Sequence, residues 1–279
     1  MTSQAKIEFC MSNKDYHTQP SVSSSQLKDV LRSPAHFYAK YLADDREPTK
    51  ETDDMRLGSA VHLLFLEPEI YDENIAIQPV GDRRYAEFKK IYAEFEESSK
   101  GKIILTQEQE KLAQGMANSL RGHLFNKIVM QGKGYREASI FYTDYETGLD
   151  CRIRPDYHIA PCEDWPNGLI IDLKTTDDAR PKAFAKTIAN FAYHISAAMY
   201  CEGFKEHYNT ESYPAFAWLV VERAKPFSCA AYELTENTRN IGLLKMREAF
   251  DLIAKCHSKN EWHSYPQTIQ PIELPNWAS

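Results

Sequence analysis

Leu169-Ile170-Ile171-Asp172-Leu173-Lys174 is the stretch on which the fold turns. The apolar lead of Leu169, Ile170 and Ile171 predicts a short strand buried in the middle of a sheet. Asp172 and Lys174, two residues apart, then point to one face of that strand, and Leu173 points to the other, into the core. An acid and an amine side by side on a buried strand are costly unless they pair with each other or are put to use. A structural ion pair and a catalytic pair both satisfy this spacing, so the neighbours have to decide.

Sixteen residues earlier, Asp156 follows Pro155 at the end of a predicted strand, Leu149-Asp150-Cys151-Arg152-Ile153-Arg154. A proline there predicts a strand end or edge, from which a side chain can reach a cleft. That strand and Ala138-Ser139-Ile140-Phe141-Tyr142 flank Tyr145-Glu146-Thr147-Gly148, the pattern of a hairpin. Glu137 stands at the hairpin's start. If the hairpin pairs with the Asp172 strand, three carboxylates and one amine converge. Converging carboxylates repel unless a cation sits among them. Hard oxygen donors suit Mg²⁺, with Mn²⁺ able to substitute, rather than zinc. Mg²⁺ takes few protein carboxylates and leaves room for a phosphate oxygen, so the expected chemistry is phosphodiester hydrolysis. Lys174 would offset the negative charge that grows in the transition state. His62, four residues after Gly58 on a predicted helix, is either a satisfied core histidine or a ligand facing the same cluster. Gly58 is expected to admit close approach of another backbone.

Outward from this centre the chain reads as one domain, residues 1–279, with a helical front over about 20–130 and a catalytic α/β core over about 135–256. Serines ahead of Gln26-Leu27 and Ser33-Pro34 open two helices. Leu57 to Leu66 is apolar nearly all round and ends before Pro68, and Thr106 with Gln109 has capping-box spacing. Residues from Pro181 to His207 are helical with one break near Asn190. Ala215–Val221 and Ser228–Leu234 read as strands, and Thr235 caps a helix with Leu243, Met246, Phe250 and Ile253 on one stripe. The predicted fold class is α/β, a mixed central sheet flanked by helices.

Composition permits this and excludes several alternatives. The 279 residues are 43% hydrophobic and 26% charged, ordinary for a globular chain. Six scattered cysteines (10, 151, 162, 201, 229 and 256) form no C-x-x-C pair, so neither a disulfide framework nor an iron–sulfur cluster is expected. No basic and apolar leader opens the chain and no apolar run spans a bilayer, which predicts a cytoplasmic protein without a membrane partner. The net charge of −7 does not exclude a nucleic acid, because acidic metal ligands contribute to it and basic residues can still gather on one face. Arg83-Arg84, Lys89-Lys90, Lys100, Lys102, Arg152, Arg154, Arg180, Lys182 and Lys186 supply that option.

The run Glu137 … Arg154-Pro155-Asp156 … Ile171-Asp172-Leu173-Lys174-Thr175-Thr176 resembles the PD-(D/E)XK nuclease core in its RecB-like form, and most closely the nuclease domain of the RecE type (exonuclease VIII). The likeness extends from Asn13-Lys14-Asp15-Tyr16-His17 to Leu274-Pro275-Asn276-Trp277-Ala278, and includes Ser25-Gln26-Leu27, Leu57-Gly58-Ser59-Ala60-Val61-His62 and Leu66-Glu67-Pro68. It implies restriction-endonuclease-like architecture, and His62, Asp156, Asp172 and the Leu173 carbonyl as metal ligands. It makes Lys174 the catalytic lysine, Glu137 a supporting or second-metal acid, and Tyr200 a residue of the site. It further implies 5′→3′ processive digestion of linear double-stranded DNA to a 3′ single strand. A ring-like oligomer, by resemblance a tetramer, and a RecT-like single-strand annealing partner belong to the same expectation, as does a bacterial or prophage origin. No nucleotide cofactor is implied. Ser25, Arg152 and Arg154 are the candidate DNA contacts. One departure stands out: the family often has Gln-x-x-x-Tyr on the helix after the D-x-K strand, and here Ser196 precedes Tyr200. Serine is too short for the same reach. The rival readings are a DNA-end-binding scaffold whose site has decayed, and a restriction or iron–sulfur nuclease of the same superfamily.

Overall fold

The computed structural model describes residues 5–47, 50–130 and 134–274. The resemblance at residues 275–278 lies outside them. In chain order the elements are β1 (Lys6–Glu8), α1 (Asn13–Thr18), α2 (Ser24–Arg32), α3 (Pro34–Tyr41), α4 (Asp53–Leu66), α5 (Tyr71–Asn74), β2 (Ile75–Ile77), α6 (Ala86–Ser98), β3 (Ile103–Leu105), α7 (Gln107–Gly122) and α8 (Phe125–Met130). The second half follows with β4 (Tyr135–Arg136), β5 (Ser139–Thr143), β6 (Asp150–Ile153), β7 (Tyr157–Ile159), β8 (Leu169–Thr176), α9 (Pro181–Asn190), α10 (Tyr193–Tyr208), β9 (Ala215–Glu222), β10 (Cys229–Glu233) and α11 (Glu236–Lys259).

A five-stranded sheet in the order β10-β9-β8-β7-β4 forms the centre. β8 and β9 are parallel, as the intervening α9–α10 crossover requires, and the other neighbours are antiparallel, which makes the sheet mixed. Alternation divides the side chains of its two middle strands between two cores. Ile170, Phe216, Trp218 and Val220 pack with Leu27 and Val30 of α2, Met199 and Phe204 of α10, and Met246 and Phe250 of α11. Leu169, Ile171, Leu173, Leu219 and Val221 pack on the opposite face with Leu57, Val61 and Leu64 of α4 and Met116 and Leu120 of α7. Each fully buried side chain of this size contributes about 1.5–3 kcal/mol. β8 is therefore pinned on both faces, which fixes the direction of every side chain it bears.

The predicted helix starts are present. Ser23 and Gln26 close a capping box on α2, Ser33 caps α3 with Pro34 in its first turn, and Thr106 with Gln109 closes another box on α7. Thr235 caps α11. The helix break falls at Ala192, whose left-handed φ of 52° separates α9 from α10. Among the described residues no helix is long and apolar enough to cross a membrane.

Two expectations are corrected. The hairpin β5–β6 does not pair with the Asp172 strand; it joins β1 in a separate three-stranded sheet. The chain changes sheet at Pro155-Asp156, and it is the following β7 that lies against β8, with Tyr157 opposite Ile171. The expected close backbone approach at Gly58 is not made either. A Cβ there would meet only the Thr175 hydroxyl at 3.8 Å, an ordinary contact. The front part also holds a small parallel pair, β2–β3, in addition to its helices.

Candidate active site

The sheet change brings the acids together. Glu137 lies where the chain passes from β4, in the central sheet, to β5, in the smaller one; Asp156 lies where it passes back from β6 to β7. The two crossing points are adjacent, and Glu137 N–H donates to the Asp156 carbonyl at 3.2 Å. Glu137 adopts a left-handed φ of 48°, a conformation that costs a non-glycine residue of order 1–3 kcal/mol.

Asp156 is held against β8: its Oδ2 accepts the Leu173 N–H at 2.5 Å. From α4, on the other face, His62 reaches the same strand. Its Nε2 is 3.1 Å from the Leu173 carbonyl oxygen, and its Nδ1 is 3.6 Å from Asp156 Oδ1. His62, Glu137 and Asp156 each offer a ligand atom within 4.8 Å of the others'. Of the four expected metal ligands, His62, Asp156 and the Leu173 carbonyl are thus in mutual reach, and Glu137 joins them. Asp172 instead pairs with Lys174, Oδ2 to Nζ at 2.5 Å. Lys174 Nζ also lies 3.3 Å from the Leu173 carbonyl, so the lysine and the acid–imidazole cluster touch one oxygen from two sides.

The electrostatics of the cluster are strained in a consistent direction. Burial, with Asp156 and Glu67 adding like charge, pushes Glu137 well above the usual carboxylate range. Burial and the Asp156 charge raise Asp172 as well, against the pull of Lys174. For Lys174 burial works toward neutrality, but Asp172 and Asp156 more than offset it and keep the ammonium well above its ordinary value. Glu137 and Asp172, which resist ionising beside a lysine that stays charged, mark a site short of positive charge. The donor set fits a divalent cation: carboxylates, a carbonyl and one imidazole, without thiolates, suit Mg²⁺ or Mn²⁺. His62, Asp156, Glu137 and the Leu173 carbonyl would hold it.

This strain gives a prediction. In EDTA, Glu137→Gln is expected to raise the melting temperature, by about 2–4 °C for each kcal/mol of relieved repulsion. The sign with pH follows from the raised value. The folded state holds the Glu137 proton after the unfolded state has released it, so wild-type stability falls as pH rises above the ordinary carboxylate range. The advantage of the variant should therefore grow between pH 5 and pH 8 in thermal melts. A variant less stable than wild type throughout would show that the carboxylate is a structural member of the fold.

The remaining expected residues fall into two groups. Tyr200 lies on α10, half-buried, with burial and the Asp172, Asp156 and Glu137 charges all holding its hydroxyl protonated. Ser25 is exposed on α2. Arg152 and Arg154 are buried: Arg152 donates through Nη1 to the Gln19 carbonyl and Ser21 while its Nε has no partner, and Arg154 is engaged by Ser139, Asn13 and the Met11 carbonyl. Both guanidiniums flank the buried Tyr16 ring, Arg154 at 4.1 Å, which fastens α1 beside the site. Three residues escape sequence reasoning. Glu67, at the C-cap of α4, adds its charge to Glu137; it stands in the Leu66-Glu67-Pro68 stretch of the resemblance, which gives it no role. Tyr193 puts its ring centroid 5.3 Å from Lys174 Nζ, and Lys28 lies 5.4 Å from the same ring. Tyr193 is three residues before Ser196, hence on the same helix face.

A mixed five-stranded sheet with a D-x-K strand at its centre and a second acid at the adjoining strand switch has the PD-(D/E)XK nuclease fold. Residues 23–274 match the model of the family described as a PDDEXK-like domain of unknown function, DUF3799, and the chain belongs to that family. Among solved structures, a candidate exonuclease from Eubacterium rectale superposes with a TM-score of 0.63 over 96% of each chain, at 14% identity, which establishes likeness of fold. The protein SSO0001 aligns over 70% of this chain and 85% of its own, with a TM-score of 0.31 and 13% identity. No curated protein matches the sequence.

Proposed function

We propose that this chain is an exodeoxyribonuclease that hydrolyses linear double-stranded DNA with Mg²⁺, for which Mn²⁺ can substitute. The observation that supports the reading is the meeting of His62, Glu137 and Asp156 with the Asp172–Lys174 pair around the Leu173 carbonyl. A divalent ion bound there would polarise the scissile phosphate and lower the proton affinity of a water. Asp156 is oriented by the Leu173 N–H, and His62 is steered by the Leu173 carbonyl, so the ligands are arranged before substrate arrives. Lys174, kept cationic by Asp172, offsets the charge that builds on the phosphate oxygens. Tyr200 and Asp172 line the same face of β8.

Residues 1–279 act in this reading as one exonuclease domain, working 5′→3′ and processively, and leaving a 3′ single strand for strand-annealing recombination. A homo-oligomeric ring, by resemblance a tetramer, would supply processivity, and a RecT-like annealing protein would receive the product. Mass photometry and duplexes labelled at one or the other 5′ or 3′ end test these finer features: early release of the 5′ label from linear duplexes, with closed circles untouched, is expected. Cutting of closed circular DNA would point to an endonuclease. The decayed-scaffold reading rests on Ser196, and requires that the metal-loaded, folded protein bind ends without releasing nucleotides.

A further inference from the structure

The nuclease reading uses one lysine, yet the same aromatic ring is flanked by a second. Lys28 extends from α2, which packs on α10, and its Nζ is 5.4 Å from the Tyr193 ring centroid; Lys174 Nζ is 5.3 Å from that centroid. The two acids whose charges act on Lys28 are taken. Asp29 accepts from Lys40 at 2.8 Å and from the Tyr41 hydroxyl at 2.6 Å, and Asp172 is paired with Lys174. Among the described residues Lys28 has no hydrogen-bond or ion-pair partner, although its side chain is half-buried. Burial and the neighbouring Lys174 charge lower it to about 8. A partly desolvated ammonium without an anion is unfavourable in the free protein, and becomes favourable when an anion arrives beside it. Ser25, one turn earlier on the same face of α2, is exposed, with its hydroxyl 3.1 Å from that of Ser23.

We propose that Lys28 is a second cation of the active site, which binds a phosphate of the DNA strand next to the scissile group, with the Tyr193 ring fixing it beside Lys174. The proposal rests on the nuclease reading for its substrate, but not on catalysis. It also bears on Ser196. Tyr193 lies three residues before Ser196 on α10, so its ring stands on the helix face that bears this departure. Lys28 acts as a binding residue, so its contact is made in ground state and transition state alike.

The test is the salt dependence of binding to a short linear DNA duplex in EDTA, followed by fluorescence anisotropy, for wild type, Lys28→Gln, Lys28→Met and Lys28→Arg. Loss of one phosphate contact should lower the magnitude of the log Kd against log[salt] slope by about 0.7–0.9 in Gln and Met, and Arg should restore it. In Mg²⁺ kinetics the same two variants should raise KM about tenfold and change kcat less than about twofold. Removing a cation from beside Lys174 should leave the melting temperature unchanged or higher, and two replacements of different polarity guard against a folding defect in either. An unchanged slope and unchanged KM in a folded Lys28→Gln or Lys28→Met would overturn the proposal while leaving an active wild type a nuclease. Absence of nucleotide release by wild type would instead remove the nuclease reading, with the slope still deciding Lys28.

Discussion

Lys174→Ala is expected to lower nucleotide release from linear duplex DNA by at least about 10³-fold, the upper range for removing one charge-stabilising donor from an active site. The variant should fold, but at a cost. Asp172 loses the ammonium 2.5 Å away and remains buried, and a buried charge stripped of its partner costs about 3–5 kcal/mol unless it takes up a proton. Burial already raises Asp172, so protonation is the accessible escape, and the penalty should be smaller at pH 6 than at pH 8. This separates the catalytic reading of the D-x-K strand from the structural one. Lys174→Ala with Asp172→Asn removes both charges and should recover most of the lost melting temperature while leaving nucleotide release at the single variant's level. Activity that returns together with stability in the double variant would make the pair a structural ion pair and nothing more.

Asp156→Asn should have an effect of similar size on nucleotide release by a different route. Asparagine can still accept the Leu173 N–H through its amide oxygen, so the strand switch at Pro155-Asp156 keeps its anchor and the fold is retained. What is lost is a negative ligand facing His62 and Glu137. Wild type should gain about 2.7 kcal/mol of stability from Mg²⁺ or Mn²⁺ at a hundredfold excess over Kd, read as a rise in melting temperature, and Asp156→Asn should show almost none of it. His62 is predicted to share this behaviour to a lesser degree, because carboxylate and carbonyl oxygens satisfy Mg²⁺ better than imidazole does. A metal-induced rise in Asp156→Asn equal to that of wild type would place the ion elsewhere.

These two outcomes concern residues whose placement was legible in the chain for different reasons. Asp172 and Lys174 were readable because period two, on a strand buried on both faces, leaves no freedom in where each side chain goes. His62 became legible only through the family resemblance; position alone could not distinguish it from a core histidine. The convergence of Glu137 and Asp156 was expected, but through the wrong pairing. Pro155 announces that a strand ends without saying which sheet receives the chain next, and the neighbour of β8 is β7 rather than the hairpin. Local patterning carries element type and face; it does not carry a change of sheet. Arg152 and Arg154 show the same limit in reverse. Both are candidate DNA contacts by sequence, whereas α1 and Tyr16 fold over them and engage most of their donors. Lys28 and Tyr193 escaped because each is unremarkable on its own amphipathic helix, and only the packing of α2 on α10 brings them to Lys174.

This centre is expected to hydrolyse DNA only with a divalent ion bound. Acid-soluble nucleotide release by the purified wild-type chain, from linear and from closed circular duplex DNA, in Mg²⁺ and in EDTA, measures that. Release from linear DNA in Mg²⁺, none in EDTA and none from closed circles is the predicted result. A folded, metal-loaded protein that binds linear DNA and releases nothing would contradict it, and would leave the PD-(D/E)XK fold serving as a scaffold for DNA ends.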